Sequence, residues 1–222
     1  MIRDLLFDAS PYADFDPSPH PDDLHGWGSD DPILTDAIKS IRPSVVCEVG
    51  SWKGRSAINM ARAAKELNLA TEIVCVDTWL GSPEHWLDRE RSTSYDSLRI
   101  RHGLPQLYYT FLSNVVRAGL EDFITPLPTT SDNAAAILRH FGIKFDLVYI
   151  DAAHDYDGAK RDIAAYYDLL ADNGALIGDD YIFWDGPTKA ANDFAKQNHI
   201  PMIGRPGKFL MPKGTFKAAI TF

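Results

Sequence analysis

Cysteine is almost missing from this chain of 222 residues: there are two, Cys47 and Cys75, both inside apolar runs and neither at metal-ligand spacing. No disulfide framework or thiolate metal site is expected, and buried reduced thiols suit a cytoplasmic protein. Long hydrophobic runs are missing too. Nowhere do eighteen apolar residues follow one another, and Met1-Ile2-Arg3-Asp4 is not a basic stretch leading into an apolar block. Neither a membrane span nor a signal peptide is therefore expected. Positive charge is in short supply. With 22 Lys and Arg against 31 Asp and Glu, the formal charge is −9. That speaks against a nucleic-acid binder, which needs Lys and Arg to neutralise phosphates, and points to small-molecule partners. What the chain does have is core material, 45% hydrophobic and 11% aromatic residues. A chain of this size buries roughly 70% of the surface its unfolded form exposes, and one decorated domain fits the length.

The acidic charge is unevenly spread. Residues 1–31 hold eight aspartates and a single arginine, which is most of the net charge. Pro11, Pro17, Pro19 and Pro21 forbid one long helix there, yet Leu5, Leu6, Phe7, Tyr12, Phe15 and Trp27 are too apolar for a solvated tail. An arm packed on the domain is expected over residues 1–42, with a short helix near Thr35–Ile41. From Pro43 to the end, short β-branched runs alternate with helical stretches and no repeat intervenes. Strands are expected at Val45–Val49, Glu72–Val76, Phe123–Leu127, Asp146–Ile150 and Ala175–Gly178, and helices around Ser56–Leu67, Leu107–Ala118, Asn133–Phe141, Asp157–Ala171 and Thr188–Gln197. Right-handed crossovers then give a doubly wound α/β fold, Rossmann-like, with helices on both faces of a parallel sheet. Pro201–Gly204 and Lys208–Phe216 read as a closing hairpin at the sheet edge, which brings the mostly parallel sheet to seven strands.

Two features at strand ends point to a nucleoside ligand. Glu48-Val49-Gly50-Ser51-Trp52-Lys53-Gly54-Arg55-Ser56 joins a strand, a glycine-punctuated turn and a helix start. Such a turn lets backbone approach a ligand, and the amides of the following helix favour polar or anionic groups. Asp77 ends the second strand, where a carboxylate can accept hydrogen bonds from both ribose hydroxyls; it could equally cap the turn that Thr78 opens. Together they indicate an adenosine-type ligand without choosing between a nicotinamide cofactor and S-adenosylmethionine.

Three carboxylates finish two neighbouring strands: Asp151 after Tyr149-Ile150, and Asp179-Asp180 after Ile177-Gly178. In a parallel sheet these ends open on one crevice. Three ionised groups a few ångströms apart repel, so one is protonated or a cation sits among them. A hard divalent ion is the simpler answer, Mg²⁺ first, with Mn²⁺ or Ca²⁺ as substitutes. His154, three residues past Asp151, is placed to reach the same crevice and to take a proton near neutral pH. The other histidines, His20, His25 and His85 among them, show no comparable arrangement.

These residues resemble the class I S-adenosylmethionine-dependent methyltransferases, in particular the metal-dependent O-methyltransferase branch that includes macrolide sugar methyltransferases and the cephalosporin hydroxylase-like group. The likeness runs from residue 43 to about 198. It rests on Glu48-Val49-Gly50-Ser51-x-x-Gly54, Asp77-Thr78-Trp79, Asp151-Ala152-Ala153-His154 and Gly178-Asp179-Asp180-Tyr181. It implies a class I methyltransferase domain over residues 43–222. S-adenosylmethionine would lie with its amino-acid end on Glu48 and Gly50, its turn contacts at Ser51, Gly54 and Ser56, its ribose on Asp77 beside Thr78, and its adenine by Ser131 and Asp132. Asp151, Asp179 and Asp180 would match the metal ligands and His154 the base. Asp180, where catechol-type relatives carry Asn, points to the sugar-modifying branch, and hence to a hydroxylated small-molecule acceptor. A homo-oligomer stays open.

Two other readings compete. Gly50-x-x-x-Gly54 with Tyr156-Asp157-Gly158-Ala159-Lys160 begins to match an NAD(P)-dependent short-chain dehydrogenase, but Ser56 stands where that family has glycine, and Asp179-Asp180 goes unexplained. A non-catalytic nucleoside-binding module is the other. Trp79 and Trp184 follow the acids closely enough to wall the crevice, whereas Trp27 and Trp86 are expected in the core. Residues 79–86 and the polar run 88–97 read as a lid, and Arg89, Arg91, Arg99 and Arg101 as water-facing.

Overall fold

In a computed structural model, which describes residues 1–87, 93–216 and 218–220, the arm begins with a helical turn, α1 (Ile2–Leu6), and ends in α2 (Pro32–Ile41). Helix α2 starts three residues before the expected Thr35. Asp31 caps it by accepting from the Ile33 amide at 3.0 Å, and Pro32 fills the first position, where no amide donor is needed. The domain then runs β1 (Val45–Val49), α3 (Arg55–Glu66), β2 (Glu72–Asp77), α4 (Pro83–Leu87), α5 (Thr93–Leu98), α6 (Leu107–Ala118) and β3 (Ile124–Pro128). It continues with α7 (Ser131–His140), β4 (Phe145–Ile150), α8 (Tyr156–Asp168), β5 (Leu170–Tyr181), α9 (Asp185–Gln197), β6 (Ile203–Arg205) and β7 (Gly207–Pro212). The expected strands and helices are all present, while α1, α4 and α5 were not expected, β5 takes in Leu170 and Ala171 from the expected helix, and the last strand ends at Pro212 rather than Phe216. Ends differ because caps set them: Thr130 starts α7 by bonding the Asn133 amide, and Asp155 starts α8 by bonding that of Gly158.

The seven strands are ordered β3-β2-β1-β4-β5-β7-β6, and β7 alone of these runs against the others, so the β5–β7 and β7–β6 pairings are antiparallel. Successive strand residues face opposite sides. Val46, Leu147 and Ile177 join α2, α3 and α6 in one core, while Cys47, Val148 and Leu176 join α7, α8 and α9 in the other. Cys47 and Cys75 are buried free thiols, as expected. The chain direction of the crossovers reverses between β1 and β4, so the carboxyl ends of those strands frame the crevice where such folds bind ligands. Strand β7 runs the other way beside β5 and sets Lys208 opposite Asp179.

Residues 1–12 anchor at the amino ends of the strands, where the Ile2 and Arg3 amides donate to Glu72 at the start of β2 and the Tyr12 hydroxyl donates to the Ile124 carbonyl at the start of β3, and residues 25–29 with Asp31 reach the cleft at the carboxyl end. Tyr12, Phe15 and Leu24 pack on the first core, but much of the attachment is ionic or hydrogen-bonded. Asp23 meets Lys53 at 2.6 Å, Asp31 meets Arg205 at 2.5 Å, and Asp30 meets Arg55. The eight arm aspartates thus find part of their countercharge on the domain. No helix among the described residues is long and apolar enough to cross a membrane.

Candidate active site

A cleft of about 1060 Å³ lies across the carboxyl ends of β1, β2, β4 and β5, with the arm segment from His25 to Asp31 along one side. That volume is enough for a nucleoside ligand and a second small molecule. At the β4–β5 end, Asp151, His154 and Asp180 each offer a donor atom within 4.8 Å of the others. His154 Nε2 is 3.1 Å from Asp180 Oδ2, and its ring stacks on Trp184 with centroids 4.5 Å apart. The Asp180 carboxylate pushes the imidazole above its ordinary pKa against the opposing effect of burial, so the pair favours a proton on His154.

Asp179 behaves differently from its neighbour. Lys208, only 2% exposed, holds Asp179 Oδ1 at 2.6 Å, and the Tyr149 hydroxyl donates to Oδ2 at 2.6 Å. Burial, then the charges of Asp151 and Asp179, push the Tyr149 hydroxyl well up, which keeps it a donor. The sequence reading assigned Asp151, Asp179 and Asp180 to one cation. In the structure Asp179 already has a buried ammonium, and the group that closes up with Asp151 and Asp180 is His154. Asp151 itself is pushed well above its ordinary value by burial and by the charges of Asp179 and Asp180, with Lys208 opposing. Two carboxylates and an imidazole suit a divalent ion such as Mg²⁺ or Mn²⁺, so the donor set here fits one.

The glycine turn is organised from below. Asp77 accepts from the amides of Ser51 at 3.0 Å, Trp52 at 2.8 Å and Trp79 at 2.7 Å. It lines the cleft, yet its carboxylate is engaged with the backbone of the turn. Gly50 lines the cleft, and a Cβ there would fall 1.8 Å from the Asp151 carbonyl oxygen, so no other residue fits against β4. At Gly54 it would strike the Phe111 ring at 2.9 Å. Gly50, Ser51, Ser56 and Thr78 line the cleft; Glu48 and Gly54 do not. Glu48 is buried beneath the turn, accepts from the Ser56 hydroxyl and meets Cys75 Sγ at 3.6 Å. Burial pushes its carboxyl up to about 7.

At the β3 end, Thr129, Thr130 and Ser131 reach the cleft, but Asp132 points out to Arg161 at 4.0 Å. Asp162 of α8 lines the cleft in its stead. The aromatic assignments also change. Trp79 is core, its ring tilted against those of Phe111 and Tyr108, with its indole donating to the Trp52 carbonyl at 2.6 Å. Trp27, expected in the core, is 53% exposed on the cleft wall, where it meets Trp52 at 5.9 Å and His85 at 6.0 Å. His85 stacks on Trp52 at 4.3 Å, and the Trp52 Nε1 donor is buried with no partner among the described residues. Trp184 walls the cleft as expected, beside Phe183.

Gly81–His85 of the expected lid also line the cleft, whereas residues 88–92, with Arg89 and Arg91, lie outside the described residues. Arg99 and Arg101 are exposed. Tyr156 donates to Asp193 at 2.9 Å, and neither it nor Lys160 lines the cleft, so a dehydrogenase-type pair is not present there.

Known proteins share this architecture. The structure matches the O-methyltransferase TomG from Streptomyces achromogenes, solved in complex with SAM, with a TM-score of 0.60 at 15% identity over 86% of this chain and 82% of that one. An O-methyltransferase from Bacillus cereus, in complex with SAH, matches at 0.59 and 15% over 96% and 95%. The calicheamicin methyltransferase CalS11 matches at 0.57 and 20% over 82% and 76%. At these identities the likeness is one of fold, the class I fold of O-methyltransferases. No curated protein matches the sequence. Residues 47–181 match the family model described as a methyltransferase domain, and the chain belongs to that family.

Proposed function

We propose that the protein transfers a methyl group from S-adenosylmethionine to a hydroxyl of a small acceptor, a sugar or glycosylated metabolite, with help from a divalent cation. The observation that carries this reading is the Asp151–His154–Asp180 cluster facing the same cleft as the Gly50 turn. In the reaction the methyl carbon bonds to the acceptor oxygen as its bond to sulfur breaks. The electron pair goes to sulfur, and the hydroxyl proton must leave. His154 takes that proton, and the Asp180 carboxylate 3.1 Å away stabilises the resulting imidazolium. Asp151 and Asp180 would hold the cation and leave the His154 lone pair for the proton; a bound divalent ion would lower the pKa of an alcohol as it does that of water. Asp179 stays fixed by Lys208 and Tyr149 and shapes the site's charge from behind. The acceptor lies between Trp27 of the arm and the Trp184–His154 stack, where indole faces suit the apolar face of a sugar ring. Opposite charges vanish as the bond forms, so a cleft covered by the arm favours transfer.

A cation-free form, in which His154 and Asp180 work alone as a base pair, is favoured by their direct contact and by the ammonium already on Asp179. Labelled methyl transfer to a saccharide panel, before and after EDTA treatment, separates the two. Loss of activity restored by Mg²⁺ or Mn²⁺ supports the cation, and full activity in EDTA removes it. His154→Ala is expected to lower kcat by about 10²- to 10⁴-fold if His154 is the base. Unchanged Mn²⁺ binding in that variant, read by calorimetry, would mark it as base and not ligand.

A further inference from the structure

One buried acid in the cleft has no part in the chemistry above. Asp162 is 4% exposed, yet it lines the cleft wall from α8. Burial is the largest effect on it, pushing the carboxyl up to about 6; the Ser131 hydroxyl is the leading hydrogen-bonding influence against that rise, Asp132 and Asp155 add to it, and Arg161 opposes it. One hydroxyl leaves most of a carboxyl's acceptor capacity unused. An acid kept in a cleft wall under those conditions is poised for a ligand donor.

Sheet order says which part of the ligand that is. The acid–imidazole cluster stands at the ends of β4 and β5, the glycine turn at β1, Asp77 at β2 and Ser131 after β3. Four strand spacings, about 19 Å, separate β5 from β3. Asp162 belongs to the β3 side, since Ser131 touches it and Tyr166, one helical turn on, donates to the Ser131 carbonyl at 3.0 Å. With the methyl group at the β4–β5 end, the base of the nucleoside falls at the other. Its outward-facing donor is the 6-amino group of adenine. Asp132, the acid that the sequence offered for this place, is turned to solvent and Arg161.

We infer that Asp162 accepts a hydrogen bond from the adenine 6-amino group and so selects the base of the methyl donor. This inference rests on the S-adenosylmethionine reading. Calorimetric binding of S-adenosylhomocysteine and of its 6-deamino purine riboside analogue to the full chain tests both. Wild type is expected to prefer the 6-amino ligand by about 10- to 100-fold, the range for a hydrogen bond to a charged group. Asp162→Ala should bind the two alike, at the weaker level. Asp162→Asn, which keeps an acceptor oxygen and the side-chain shape, should retain most of the preference. Equal binding of both ligands by wild type, or a preference undiminished in Asp162→Ala, overturns the inference while leaving the donor intact. Binding of neither ligand by wild type overturns the donor reading itself, and this one with it. The wild-type comparison needs no variant, so the inference stays falsifiable if Asp162→Ala fails to fold.

Discussion

Leu147 in the middle of β4 and Asp31 at the end of the arm are both held in place, but by different physics. Leu147 is fully buried between strands and helices and contributes by leaving water. Asp31 is held by Arg205 at 2.5 Å and by its cap on α2. The sheet is thus an apolar body whose stability is collective. The arm is a strap in which ion pairs and hydrogen bonds add to the apolar contacts of Tyr12, Phe15 and Leu24. That difference suits a site in which the sheet fixes the reacting groups and the arm covers them.

The largest expected effect is on the sheet side. Leu147→Ala should lower the unfolding free energy by about 2–5 kcal/mol, read from urea denaturation; a loss below 1 kcal/mol would show that the sheet interior is less tightly packed than described. The second concerns the buried carboxyl under the glycine turn. Glu48 has its folded pKa raised to about 7 from 4.5, so the folded state binds the proton more tightly than the unfolded one. Stability is therefore highest below pH 4.5 for this group, falls between pH 4.5 and 7, and is flat above, by about 3 kcal/mol at most. Glu48→Gln should flatten that slope; a slope unchanged in the variant assigns it elsewhere.

Arm substitutions should be smaller in stability and visible in function. Trp27→Ala is expected to reduce kcat/KM for the acceptor by about tenfold, roughly 1.4 kcal/mol, with S-adenosylhomocysteine affinity unchanged. Equal losses for both ligands would mean that the arm is part of the donor site. Smallest of all is Asp30→Ala, which breaks a pair with Arg55 whose carboxylate is 61% exposed. It should cost under about 1 kcal/mol, less in high salt, while raising hydrogen exchange in the arm.

Much of the sheet was legible because its signal is local. Val45–Val49 and Leu107–Ala118 were bounded as found, since β-branched runs and a helical apolar stripe declare themselves without reference to the rest of the chain. The start of strand β5 was not legible because the helical pattern runs on to Ala171, yet the pairing of Leu170 with Phe145 already belongs to the sheet. The acids at strand ends were legible for the same local reason. Their partners were not. Lys208 lies far along the chain and reaches Asp179 only because β7 is antiparallel; a lysine ahead of Phe209-Leu210-Met211 in an apolar strand was the available signal. Asp162 carried a comparable one, a carboxylate on the helix face of Ala159, Ile163 and Tyr166. Trp27 and His85 gave none, since only the fold brings the arm to the turn.

The reversed direction of β7 also orders events in time. Gly28 lies against Asp179 and Lys208, so a piece of chain made early meets one made late directly over the reacting groups. As the polypeptide emerges from the ribosome, the aspartates after β5 are complete while the ammonium that matches one of them has still to be synthesised. At this point the strap meets the Lys208 ammonium only once that final hairpin has docked.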